Sequence, residues 1–89
     1  MHSTTTERFR KARAALPENA QRQAQQAYER FKDNPHHPSL RFKQVHTTRP
    51  IYSARINRQY RALAIKEGEA LIRFWIGDHS TYDALLKQF

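Results

Sequence analysis

Apolar positions recur first at helical spacing and then, after residue 38, at every second place. Phe9, Ala12 and Leu16 form one stripe, and Ala20, Ala24, Ala27, Tyr28 and Phe31 form another. Steps of three and four residues put such positions on one face of an α-helix. Glutamines, Arg22, Glu29, Arg30 and Lys32 occupy the other side of the second stripe. Pro17 stops the first helix and suits the first turn of the next. Asn34-Pro35 ends the second. Thr4-Thr5-Thr6-Glu7 has the form of a capping box, in which a threonine hydroxyl faces the first free amides. The pattern predicts a tight helical hairpin over residues 4–33, with alanines allowing close approach.

Beyond residue 38, Leu40 and Phe42 alternate with Arg41 and Lys43, and Tyr52, Ala54 and Ile56 alternate with Ser53 and Arg55. Turns fall at Thr48-Arg49-Pro50, near Asn57-Arg58-Gln59 and at Glu67-Gly68, separating the runs Tyr60 to Lys66 and Ala70 to Ile76. A period of two broken by such turns predicts an antiparallel meander of three or four strands. A two-residue Glu67-Gly68 loop gathers Leu63, Ile65, Ile72, Phe74 and Ile76 on one face, the one expected under the helices. A two-residue Arg58-Gln59 loop adds Tyr52, Ala54 and Ile56. The opposite face then shows Ser53, Arg55, Tyr60, Ala62, Arg73 and Trp75, joined by Arg41 and Lys43. A one-residue change in either loop reverses these assignments. Arg61 breaks the pattern, since this register points it to the apolar face, where an unpaired guanidinium is costly. It must sit at the sheet's end, reach solvent, or pair with Asp78, Asp83 or a helix carboxylate. A strand ending at Gly77 and a short helix beginning near Ser80, with the amphipathic tail Tyr82 to Phe89, close the chain. The fold class is α+β in one domain, residues 1–89, as the length allows.

Composition narrows the function. The chain has no cysteine, which removes disulfides and thiolate metal sites. No apolar run approaches the roughly 20 residues that span a bilayer. The first six residues lack the apolar stretch of a secretory signal, so no membrane role and a cytoplasmic setting are expected. The net charge is +8, and its placement matters more. Between Asn34 and Lys66 there is no acidic residue, yet Arg41, Lys43, Arg49, Arg55, Arg58, Arg61 and Lys66 all fall there, with His36, His37 and His46. A one-signed window of this length points to a polyanion or an acidic protein partner rather than to a solvated surface.

The stretch Ile76-Gly77-Asp78-His79-Ser80-Thr81-Tyr82 leads from the most apolar run into the final helix and presents a histidine with a tyrosine one turn later. Taken with Asn34-Pro35, Pro38-Ser39-Leu40-Arg41-Phe42-Lys43, Tyr52-Ser53-Ala54-Arg55-Ile56 and Tyr60-Arg61-Ala62-Leu63, it resembles the RelE/ParE superfamily of type II toxin–antitoxin toxins. It is most similar to small members ending in Gly-x-His-x-x-Tyr-Asp. The resemblance runs over residues 7–87 and implies the helical hairpin on an antiparallel sheet reached above. RelE itself begins with a strand; none is expected here before Glu7. RelE-like members cut mRNA on the ribosome, ParE-like members poison DNA gyrase, and a cognate antitoxin neutralises both. By position, the resemblance assigns Arg61 to the scissile phosphate and Arg55 to a basic active-site place. Ser53 stands where RelE has lysine. His79 takes the place of an arginine or histidine, and Tyr82 falls near a C-terminal tyrosine. Arg41, Lys43, His46, Arg58, Arg73 and Trp75 are the expected RNA-contacting set.

Cleavage by internal attack needs a base for the 2′-hydroxyl, cations on the phosphorane and an acid for the leaving 5′-oxygen. Histidine suits the proton transfers, and arginine grips phosphate bidentately. No metal or cofactor is expected. Other readings remain open for these residues. His79 fits the flank of a helix cap. Tyr82 shares helical spacing with Leu85, Leu86 and Phe89 and so fits a core. Trp75 fits either base stacking or cover by the C-terminal tail, and His36-His37 reads as a solvated loop. Three functions therefore stand: an mRNA endonuclease, a gyrase inhibitor without chemistry, and a decayed toxin that only binds its antitoxin.

Overall fold

A threonine starts the helical hairpin, two residues later than the capping pattern implies. Thr6 accepts a 3.1 Å hydrogen bond from the Phe9 amide. In the computed structural model, which describes residues 2–89, helix α1 (Glu7–Ala14) and helix α2 (Glu18–Asp33) follow from it. Ahead of the cap lies a strand, β1 (His2–Thr5), where none was expected. It pairs in parallel with the last strand, His2 opposite Ala70 through Thr5 opposite Arg73. The Thr6 amide extends this ladder to the Arg73 carbonyl at 3.1 Å. Threonine suits strands as well as caps, and four residues are too few to show a period. The chain continues through a 3-10 turn (Pro38–Leu40), β2 (Lys43–Gln44), β3 (Ile51–Arg55), β4 (Tyr60–Glu67), β5 (Ala70–Asp78) and α3 (His79–Leu86). The five strands lie in the order β1-β5-β4-β3-β2, antiparallel except for β1. The α+β architecture of hairpin, sheet and C-terminal helix stands; the sheet has more strands than expected.

The register differs from the one read off the sequence, and both turns explain it. Arg55 pairs with Arg61 and the Ile56 amide bonds the Tyr60 carbonyl at 3.1 Å, so the β3–β4 loop holds three residues, Asn57-Arg58-Gln59, not two. Asn57 closes it, its side-chain oxygen accepting from the amides of Gln59 at 2.7 Å and Tyr60 at 2.9 Å. Glu67 pairs with Ala70, so the next loop is Gly68-Glu69. Gly68 takes φ +57° there, the left-handed region in which glycine has no Cβ penalty. A bulge then interrupts β5: Ala64 pairs with Arg73 but Leu63 with Trp75, leaving Phe74 as the extra residue.

These offsets turn β4 over. Ala62 and Ala64 face the hairpin, packing with Ala24 and Phe9, and with Ala27, Phe31 and Leu71. Leu63 and Ile65, expected beneath the helices, lie on the other face with Ile51, Trp75 and Phe74. Tyr82, Leu85 and Leu86 of α3 cover them. Ile76 keeps its expected place with Phe9, and Ile56 packs on the hairpin side too. Leu63, 1% exposed, anchors this second core. Among the described residues no helix is long and apolar enough to cross a membrane.

Candidate active site

Turning β4 over resolves the Arg61 anomaly. Residues paired across an antiparallel ladder share a face, and Arg55 is paired with Arg61. Both therefore lie on the α3 side, at the end of the sheet opposite the Gly68 turn. Neither forms an ion pair among the described residues; the carboxylate partners weighed for Arg61 are not used. Its Nη1 donates instead to the carbonyls of Asn57 and, at 3.0 Å, Tyr60. Burial and the facing Arg55 charge push the Arg61 guanidinium below the ordinary arginine value, with Tyr82 and Asp83 opposing and Arg41 adding to the fall. Two like charges placed opposite each other destabilise a sheet. Such a pair is a standing attraction for an anion.

Arg41 follows the 3-10 turn with φ 45°, in the left-handed region. That conformation costs a residue with a Cβ about 1–2 kcal/mol. It sets Arg41 where its charge reaches Arg61. Lys43 pairs with Ser53 across β2 and β3, so it brings a cation to the face and place where residue 53 carries none. Arg58 is exposed in the three-residue loop.

The histidine reaches this group through α3. Strand β5 continues past Gly77 to Asp78, which caps α3 by accepting from the Thr81 amide at 2.8 Å. That bond, first of all, holds the Asp78 carboxyl below its usual range. Helix α3 thus begins at His79, not near Ser80. Gly77 is required by packing rather than by a turn: a Cβ there would lie 2.6 Å from the Trp75 ring. The His79 amide donates to the Gln59 carbonyl at 2.8 Å, tying the Arg58 loop to the helix start. The imidazole is half exposed, with Nε2 3.4 Å from an Asp83 carboxylate oxygen. Its ring meets that of Tyr82 edge-on at 5.6 Å. Asp83 enters the site as the partner of His79, a role that the i,i+4 spacing could have suggested.

Other expected contacts are placed elsewhere. Trp75 is 7% exposed, shut under α3 against Tyr82 with centroids 6.4 Å apart. It is core and offers no stacking surface. Tyr82 is equally buried, although its field reaches Arg61. Arg73 lies on the hairpin side, because the bulge at Phe74 reverses parity beyond it. His46 accepts the amides of Thr48 at 3.2 Å and Arg49 at 3.0 Å on Nδ1. It closes a turn, with that nitrogen withdrawn from proton transfer. His37 does the same for Ser39. No group of three or more histidine, aspartate or glutamate side chains is placed to hold a metal among the described residues.

A family model described as a ParE-like toxin domain matches residues 18–84. The chain belongs to this family, within the RelE/ParE superfamily of toxin–antitoxin toxins. Solved structures carry the same fold. YafQ from E. coli superposes with a TM-score of 0.73 at 8% identity, covering 90% of this toxin and 94% of YafQ. A chain of the archaeal RelE–RelB complex from Pyrococcus horikoshii gives 0.68 at 15%, covering 86% and 92%. Isolated E. coli RelE gives 0.66 at 14%, covering 99% and 98%. No curated protein matches the toxin by sequence. At these identities the structures speak for the fold. The toxin's cations and its histidine therefore have to be judged on their own geometry.

Proposed function

We propose that the toxin is a ribosome-dependent mRNA endonuclease. The observation that carries this reading is the Arg55–Arg61 pair, which forms no ion pair among the described residues, at the end of the sheet where the His79 amide bonds the Gln59 carbonyl and its imidazole is half exposed. Arg61 and Arg55 hold the scissile phosphate, with Arg41 and Lys43 extending the grip along the strand. His79 moves the protons. The 2′-oxygen attacks phosphorus, the 5′-oxygen leaves, and a 2′,3′-cyclic phosphate and a 5′-hydroxyl result. Arginine cations offset the charge that builds on the phosphorane. Asp83 orients the imidazole, and Tyr82 walls the site from below rather than stacking on a base. An antitoxin is the natural partner: archaeal RelE structures are complexes with RelB. An acidic segment fits the basic face.

A second reading has its own support. The matching family model is ParE-like, and the His79 ring is engaged by Asp83 and Tyr82 in the first turns of α3. In a gyrase inhibitor that histidine would be structural. Mapping mRNA 5′ ends after induction, beside a supercoiling assay with purified gyrase, separates the two. Cuts at fixed codon positions with normal supercoiling are expected. Intact mRNA with impaired supercoiling would replace the nuclease by the inhibitor.

A further inference from the structure

Arg73 is a cation that forms no ion pair among the described residues. It sits opposite Thr5 and Ala64 under the hairpin. Its guanidinium carbon lies 3.8 Å from the Tyr28 ring centroid and 5.3 Å from that of Phe9. Stacking satisfies the flat faces of a guanidinium, but its donors point outward in the plane. The Nε–H is buried and meets no acceptor among the described residues. Desolvation, with Arg13 adding, lowers this group's pKa, and Tyr28 only partly opposes them.

The surroundings are built to receive something. A cavity of about 60 Å³ between hairpin and sheet has Arg73 in its wall, and Arg13 and Gln25 are its outer polar lining. They contact each other across α1 and α2 at 3.4 Å. On the far side of Tyr28 a second void of about 330 Å³ is lined by Lys32 and Ser3. The Ser3 hydroxyl is buried and unpartnered as well. Every charged group lining either void is a cation: Arg13, Arg73 and Lys32. Glu29 lines neither; it is taken up by Lys32 at 3.2 Å and Gln25 at 2.9 Å.

We propose that this cleft receives one carboxylate on a short aliphatic stem, the glutamate side chain of a protein that covers the toxin. The guanidinium fork matches a carboxylate. Water occupies about 30 Å³ in the liquid, so the inner cavity has room for one carboxyl group and a methylene. Its largely apolar wall suits the stem and disfavours a dianion such as phosphate. Arg13 and Lys32 attract the acid before it is buried. The protein source rests on the toxin–antitoxin reading; the carboxylate chemistry does not.

The test follows the Arg73 Nε–H resonance in ¹⁵N-labelled full-length toxin at constant ionic strength. Propionate is the free side-chain probe. N-acetyl-glutamate-N-methylamide presents the same group on a peptide backbone, and chloride is the control. Both carboxylates are expected to give a saturable shift at Arg73 that chloride does not. In the variants binding is read from the backbone amides of Tyr28 and Ala64, which line the same cavity, and Arg73→Met is expected to weaken it at least about tenfold. Arg73→Lys, which keeps charge but loses the fork, falls between. No saturable shift, an equal shift with chloride, or unchanged binding in Arg73→Met overturns the site. Propionate binding without the glutamate amide overturns the protein source in favour of a free acid. The wild-type titration decides even where a variant fails to fold, and it needs no RNA cleavage. Its failure is therefore separate from failure of the nuclease reading.

Discussion

The sheet carries arginines on both faces, and the two faces treat them differently. Under the hairpin, Arg73 is wedged between Tyr28 and Phe9 with a buried donor left over. On the α3 side, Arg61 and Arg55 face each other at the sheet's end and reach solvent. The hairpin face is floored by Ala62 and Ala64, small side chains that leave a gap above the sheet. The other face is filled by Leu63, Ile51, Trp75 and Tyr82 up to the edge of the cation cluster. Close packing therefore stops where the charges begin. A catalytic surface needs cations fixed by a rigid floor but open to substrate, and the α3 side offers both. The hairpin side offers a cation without access for a nucleic acid.

Five experiments can break or sharpen this contrast. The largest effect is expected from Trp75→Ala, which removes the floor beneath α3. Loss of a buried aromatic costs about 3–5 kcal/mol, read as a lowered urea midpoint. A change below about 1 kcal/mol would mean that α3 is not seated as described. Next is Gly77→Ala, whose methyl would strike the Trp75 ring. Overpacking of this kind costs about 1–3 kcal/mol, and near-UV circular dichroism should show the indole displaced. An unchanged spectrum and midpoint would contradict the contact.

Smaller effects separate the arginines themselves. Arg73→Met replaces a half-buried cation, whose Nε–H has no acceptor among the described residues, by an apolar chain. It should hold or raise stability by about 1 kcal/mol; a clear loss would show a partner that the cleft conceals. Arg55→Gln relieves the like-charge pair with Arg61 and should stabilise the fold by about 0.2–1 kcal/mol while lowering activity. A stability gain without an activity loss would remove Arg55 from the site. Asp78 tests the α3 cap through pH. Its carboxyl is lowered in the folded state, so its contribution is complete above the ordinary aspartate value of about 3.9 and is lost as pH falls below it. Asparagine also caps helices. Asp78→Asn should therefore flatten the acid limb of a urea-midpoint profile, and an unchanged limb would place that loss elsewhere.

Much of this arrangement was legible in the sequence, and its failures have identifiable causes. The 3.6-residue stripes of Phe9 to Phe31 fix the hairpin because they are long and repeated. Tyr52, Ala54 and Ile56 were read onto their true face. Strand β4 was not, because its face depends on one residue of loop length at Asn57, one at Gly68 and a bulge at Phe74. Local alternation does not encode any of these. That error separated Arg55 from Arg61, which were singled out individually but assigned to opposite faces. It also displayed Arg73 on the open face, when it lies under the hairpin; Trp75 was read onto its true side and is covered there by α3, one of the two readings left open for it. Strand β1 escaped notice because Ser3 to Thr6 satisfy a cap pattern and a strand preference at once. His79 stood out in the sequence, whereas its partner Asp83 needed the helix start moved back to residue 79.

The most direct measurement is single-turnover cleavage of mRNA on programmed ribosomes by wild type, Arg61→Gln and His79→Ala, each shown to be folded. Loss of a phosphate-binding cation should slow cleavage by about 10²–10³-fold. Loss of the proton-transfer group should slow it by about 10²–10⁴-fold. Folded variants that cut at the wild-type rate would contradict the assignment of the Arg55–Arg61–His79 cluster as the active site.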